Sequence, residues 1–162
     1  MENKIVELLI KHNLTITTAE SCTGGLIAAA LVNVPGVSGQ LEEGYITYSN
    51  GAKEKLLGVS HETLEKYGAV SSQTAEEMAK GAKKAANADI SIISTGIAGP
   101  DGGTKEKPVG LVYLACCLGD DTEVERHIFS GDRQEVRQSS VLAALALVEK
   151  MIRNSKDTRT VQ

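Results

Sequence analysis

Tryptophan is absent from this 162-residue chain, and phenylalanine occurs once beside four tyrosines. Aromatics make up 3% but hydrophobic residues 41%, so the core has to be built from alanine, valine, isoleucine and leucine. Prolines number three, and the sixteen glycines of so apolar a chain mark tight element junctions rather than disorder. Cysteine is confined to Cys22, Cys116 and Cys117, an odd count without C-x-x-C spacing. That pattern gives reduced thiols and no metal site, and it sets the adjacent Cys116 and Cys117 on opposite faces of a strand. No apolar run approaches the roughly 18 residues of a membrane span. The charges scattered through MENKIVELLIKHN are unlike a signal peptide. A basic stripe is missing too: the net charge is −4, and the lysines at 53, 55, 80, 83 and 84 are interleaved with Glu or Ala. Direct nucleic-acid binding is therefore not expected. The expectation is a cytoplasmic protein with neither a nucleic-acid nor a membrane partner.

What is present alternates helix and strand signals. Ile5, Leu8, Leu9 and His12 fall at helical spacing over 2–12, and the Thr/Ile-rich 14–19 reads as a strand. An apolar helix, 26–34, ends at Pro35-Gly36, and a strand over 42–48 leads into a helix over 50–57. Ser60 can cap a short helix to Tyr67. A strong helix over 71–87 sets Ala75, Met78, Ala79 and Ala82 on one face. Residues 89–95 read as a buried strand, and 109–118 with 123–129 as a strand pair turning at Gly119-Asp120-Asp121. Asp132-x-x-Glu135 is a capping-box-like start for a last helix with Ala143, Ala144, Leu147 and Met151 inward. The order implies one domain over 1–153 with a polar tail, 154–162, and an α/β fold. Its form is a three-layer α/β/α sandwich with a mixed, mostly parallel sheet. In such sheets function gathers in loops after the carboxyl ends of parallel strands. Three segments qualify: 20–25, 48–53 and 95–103.

In A-E-S-C-T-G-G, residues 19–25, Gly24 and Gly25 let the backbone turn sharply and open amides at a helix start. A serine there can attack a carbonyl while amides hold the oxyanion, or Ser21 or Thr23 can simply cap the helix. In Y-S-N-G-A-K, Lys53 stands one turn into a helix. The three histidines, His12, His61 and His127, lie in surface-like contexts, which weakens a Ser-His-Asp triad. A serine–lysine pair needs no histidine but does need a neutral amine. With an ordinary pKa near 10.4, less than about 0.1% of a lysine is neutral at pH 7, so burial or a nearby cation must lower it by roughly 2–3 units. The loop S-T-G-I-A-G-P-D-G-G, 94–103, has neither P-loop nor G-x-G-x-x-G spacing, yet it offers amides and Thr95 to a phosphate or carboxamide. Arg133 and Arg137, four apart on a helix, can hold a phosphate or pair with Glu135 at the surface.

Taken in order, TTAESCTGG, GYITYSNGAK, YGAVSSQTAEEMA, STGIAGPDGGTKEKPVG and FSGDRQEVR closely resemble the C-terminal domain of CinA proteins. The resemblance covers 1–153 and extends to the stand-alone, PncC-type nicotinamide mononucleotide deamidases, and a stand-alone form is the expectation for this chain. It implies hydrolysis of the carboxamide of nicotinamide mononucleotide to the carboxylate and ammonia, without cofactor or metal. It places the nucleophile on Ser21, the base on Lys53 and a catalytic tyrosine on Tyr48. Contacts to substrate are expected from Glu20, Thr23, Gly24, Gly25, Ser49, Asn50, Thr95, Gly96, Gly99 and Arg133. Cys22 and Ser49 stay open as alternative nucleophiles. The oxyanion falls to amides of 22–25 or 96–99, and the phosphate to the glycine loop or Arg133. A homodimer is the expected assembly. The competing reading is a catalytically silent module that binds a pyridine nucleotide or a partner linked to competence and DNA damage.

Overall fold

A computed structural model describes the backbone of residues 1–159 and the side chains of 1–155. Five strands form one sheet in the order β2-β1-β3-β4-β5: β1 (Ile16–Glu20), β2 (Gly44–Ile46), β3 (Ile90–Gly96), β4 (Leu111–Leu118) and β5 (Asp121–Ile128). The pairs β1–β2 and β1–β3 are parallel, and β3–β4 and β4–β5 are antiparallel. The sheet is thus mixed as expected, with its parallel pairings confined to β2, β1 and β3. Helices α1 (Glu2–His12), α2 (Leu26–Val32) and α6 (Arg133–Arg159) cover one face. Helices α3 (Asn50–Leu57), α4 (His61–Tyr67) and α5 (Ser72–Ala86) cover the other. A 3₁₀ turn, Val37–Gly39, follows α2.

Strand alternation sorts the core into two layers. Ile90 and Ile92 of β3, with Val112, Leu114, Cys116 and Leu118 of β4, pack toward α1, α2 and α6. Ile93, Ala115 and Cys117 pack toward α5, whose Ala75, Met78, Ala79 and Ala82 are wholly buried. Cys116 and Cys117 therefore enter opposite layers, and all three cysteines are free thiols. Gly81 lets α5 approach α3 closely, since a Cβ there would sit 1.8 Å from the Leu57 carbonyl oxygen. Asp132 Oδ1 accepts from the Glu135 amide at 2.9 Å and starts α6, which continues to Arg159 across the expected domain end at 153. The last three residues of the expected tail, 160–162, lie outside the described residues. No helix among the described residues is long and apolar enough to cross a membrane.

Candidate active site

Because β2, β1 and β3 are parallel neighbours, their carboxyl ends finish side by side and the segments after them converge. Between them lies a cavity of about 280 Å³, lined by Ser21, Cys22, Tyr48, Lys53, Ala69, Val70, Thr95–Gly99, Asp101, Gly102 and Arg133. The side chain of Ser49 caps α3 by accepting from the Ala52 amide at 3.1 Å. One turn later Lys53 shares the buried face of that helix with Leu57, four residues on. The lysine is only 1% exposed. Its Nζ donates to the Thr47 carbonyl at 2.7 Å and lies 3.2 Å from Ser21 Oγ.

Burial pushes the Lys53 pKa from its ordinary 10.5 down to about 8, against the opposing pull of a Cys22 thiolate. The Cys22 thiol is itself pushed up from 9.0 to about 11, chiefly by burial. Between those two values both groups are neutral, so amine and thiol form no ion pair. At pH 7 a pKa of about 8 leaves about a tenth of the amine neutral, some 300-fold more than an unperturbed lysine would supply. A neutral Nζ beside Oγ can accept the hydroxyl proton, while a protonated one can only donate. The cysteine stays a thiol and lacks the thiolate character of a nucleophilic cysteine.

The structure brings Ser21, Lys53, Tyr48, Thr95, Gly96, Gly99 and Arg133 to the cavity. Glu20 and Thr23 require correction as substrate contacts, because both are wholly buried and internally bonded. Glu20 Oε1 accepts from Thr23 Oγ1 at 2.6 Å and from the Ile27 amide at 2.8 Å, and Oε2 accepts from the Ala28 amide at 3.1 Å. The amides at the start of α2 thus already serve the protein's own carboxylate. Thr23 Oγ1 also pairs with Ser94 Oγ at 2.6 Å. Gly24 and Gly25 take φ of +58° and +104°, which explains the glycines as turn formers, but neither lines the cavity. Ser49 and Asn50 are exposed at the start of α3 and outside the lining.

Tyr48 reaches the cavity but is 64% exposed, and its hydroxyl accepts from Arg133 Nη2 at 3.2 Å. Lys53 Nζ is bonded instead to the Thr47 carbonyl and Ser21, so a proton shared between Tyr48 and Lys53 is not what this arrangement provides. Arg133 Nη1 donates to the Gly99 carbonyl at 2.7 Å, tying the glycine loop to Tyr48 across the cavity mouth. Arg137 does not join it: its Nε and Nη2 donate to the Cys22 and Thr23 carbonyls at 3.0 and 3.1 Å. Thr95 Oγ1 donates to the Ala69 carbonyl at 2.8 Å. Sequence reasoning missed Ala69 and Val70, which the α4–α5 connection brings in without any local chemical pattern. It also missed Asp101, the carboxylate of the cavity lining. Acidity within P-D-G-G was the one available signal for it. Among the described residues no group of three or more His, Cys, Asp or Glu is placed to hold a metal.

A family model described as the CinA C-terminal domain matches residues 1–152. A competence-damage inducible protein of Clostridium novyi is 58% identical over 145 residues, which is 90% of this chain and 35% of that protein. One of Clostridioides difficile is 56% identical over 85% of this chain and 33% of its own length. The chain thus spans about a third of the length of these curated relatives. Among solved structures, the competence/damage inducible protein CihA from Agrobacterium tumefaciens is similar at a TM-score of 0.90 and 42% identity, over 92% of both chains. A CinA superfamily protein from Klebsiella pneumoniae is similar at 0.91 and 36% identity, over 94% of this chain and 96% of its own.

Proposed function

The chain belongs to the CinA C-terminal domain family, and from that premise we propose that it is an amidohydrolase converting nicotinamide mononucleotide to nicotinate mononucleotide and ammonia. The observation that carries this reading is the buried Lys53 amine, 3.2 Å from Ser21 Oγ, with its pKa lowered to about 8. A general base works best with a pKa near the working pH, and a serine hydroxyl becomes nucleophilic only when such a base takes its proton.

The chemistry closes on these two residues. Ser21 Oγ attacks the amide carbon as its proton passes to Lys53 Nζ, and the carbonyl becomes an oxyanion. Amides of Cys22 or of residues 98–99 are the donors this site offers to that oxygen, since the Ile97 amide already donates to the Leu111 carbonyl. Lys53 returns the proton to the departing nitrogen, and ammonia leaves an acyl-serine. A water then gives a proton to Lys53 and attacks the acyl carbon, the proton returns to Ser21 Oγ as the carboxylic acid departs, and the acid loses its own proton to solvent as the carboxylate forms. The positive pyridinium ring makes its carboxamide more electrophilic throughout. Size and charge support a mononucleotide. A cavity of about 280 Å³ suits a small ligand, and besides the Lys53 amine its lining carries one guanidinium, Arg133, and one carboxylate, Asp101. The substrate likewise carries one anionic group, its phosphate, and one cationic ring.

Ammonia release from nicotinamide mononucleotide, measured for the wild type and for Ser21→Ala, tests the proposal. Activity lost in the variant at an unchanged melting temperature is the expected result. A wild type that binds the nucleotide without releasing ammonia makes the module a silent binder instead. The same reading takes the protein as cytoplasmic and as a homodimer; sedimentation in solution tests the dimer.

A further inference from the structure

The nucleophile lies in a turn held from three sides. From β1, the Glu20 carboxylate accepts from Thr23 Oγ1 and from the Ile27 and Ala28 amides. From β3, the Ser94 carbonyl accepts from the Ser21 amide at 3.0 Å, and Ser94 Oγ meets Thr23 Oγ1 at 2.6 Å. From α6, Arg137 donates Nε to the Cys22 carbonyl and Nη2 to the Thr23 carbonyl. The turn therefore gives donors to a carboxylate on one side and acceptors to a guanidinium on the other. Arg137 reaches it across 115 residues of chain, and its Nη2 would lie 3.3 Å from a Cβ at position 24, so the fit is close.

We propose that Arg137 is a positioning residue which, acting through the Cys22 and Thr23 carbonyls, holds Ser21 Oγ in reach of Lys53 Nζ. A planar guanidinium presents two N–H groups in a fixed fork, so it fixes two successive carbonyls together, which a single ammonium does not. Planarity of each peptide unit then fixes the following N–H as well, so orienting these carbonyls orients the amides of Thr23 and Gly24. The proposal rests on the serine–lysine reading, and it removes Arg137 from the phosphate-binding role that its spacing from Arg133 suggested.

The test uses a small fluorophosphonate, which reacts with an activated serine whatever the natural amide is. Ser21 Oγ bonds to phosphorus, fluoride leaves, and the proton passes to Lys53. The rate is followed by mass spectrometry of the Ser21 peptide in wild type, Arg137→Lys and Arg137→Ala. Misplacement of a reacting atom by about 1 Å can cost about 100-fold, so a fall of that order is expected for Arg137→Ala, with a smaller one for Arg137→Lys. The pH of half-maximal rate, set by Lys53, stays unchanged, and added guanidinium ion restores part of the rate to Arg137→Ala. A role confined to stability lowers the melting temperature but leaves the folded variant reacting at the wild-type rate, and that result overturns the proposal. So does a variant with full reactivity and only a raised KM for the nucleotide. If Arg137→Ala does not fold, wild-type reactivity in Arg137→Lys still refutes the proposal. A wild type unreactive at Ser21 refutes the serine–lysine reading itself, and the Arg137 role with it.

Discussion

Replacing Lys53 with methionine should make the protein more stable at neutral pH while removing its activity. Below pH 8 the native chain holds a buried ammonium, because Lys53 is 1% exposed and its pKa is lowered to about 8 from 10.5. The unfolded chain keeps the ordinary value. Below about pH 8 both states are protonated, and the native state carries the full desolvation cost. Between about 8 and 10.5 the native state has lost its proton and the unfolded state has not, so stability rises with pH. At 1.36 kcal/mol per pH unit, the interval gives about 3 kcal/mol. Methionine removes that cost at every pH but leaves the Thr47 carbonyl without its donor, worth about 1 kcal/mol. The net gain at pH 6 is about 2 kcal/mol, a rise in Tm of about 4–8 °C for a chain of this length. By pH 10 the advantage should have vanished. Urea or thermal unfolding of both proteins at pH 6, 7, 8, 9 and 10 gives the difference, from which groups common to both cancel. A difference that does not change with pH, or a methionine variant less stable at pH 6, refutes the reasoning that Lys53 is held near neutrality by burial.

Other outcomes follow from the same geometry. Lys53→Arg keeps the charge but cannot shed its proton in this range, so kcat should fall by several orders of magnitude with little change in substrate Kd; near-native kcat would end the role as base. Wild-type kcat/KM should rise about tenfold per pH unit below 8 and level off above it, which a pH–rate profile checks. Cys22→Ser should keep much of the activity, since the wild-type thiol titrates only at about 11; complete loss in the ammonia assay would point to the sulfur. Nicotinamide mononucleotide should be preferred over free nicotinamide in kcat/KM, because phosphate and ring charge help to align the amide; equal values would remove the case for Arg133 and the 95–103 loop. Gly81→Ala should destabilise the fold by about 1–3 kcal/mol, although alanine is the better helix former by about 1, since its Cβ would meet the Leu57 carbonyl; a urea midpoint that rises would contradict that packing.

Elements governed by local rules were legible in the sequence. The α3 span is 50–57 in both readings, because a serine cap precedes it and a left-handed Gly58 ends it. The opposite burial of Cys116 and Cys117 follows from strand alternation alone, and the start of α6 at Asp132 from its capping side chain. The three candidate loops could be named because carboxyl ends of parallel strands attract glycine, hydroxyls and lysine. The resemblance carried by the long motifs identified the family, and hence which serine and which lysine to watch.

Tertiary structure alone decided what those residues touch. In the sequence a lysine beside Glu54 and Lys55 reads equally as a solvated face; the fold buries it beside Leu57 and in contact with Ser21, 32 residues away. Glu20 could not be told from a substrate ligand until α2 was seen to give it two amides. Tyr48 and Lys53 are close in sequence yet point to different partners, because the start of α3 turns one toward Arg133 and the other inward. Arg133 and Arg137 share spacing and charge, yet one lies over the cavity mouth and the other grips the turn after β1. Local propensity determines where elements begin and end, because those choices are made by neighbours within a turn or two. Burial of a charge, and the partner that makes it tolerable, depend on chain segments brought together only when the sheet and its two helical layers close.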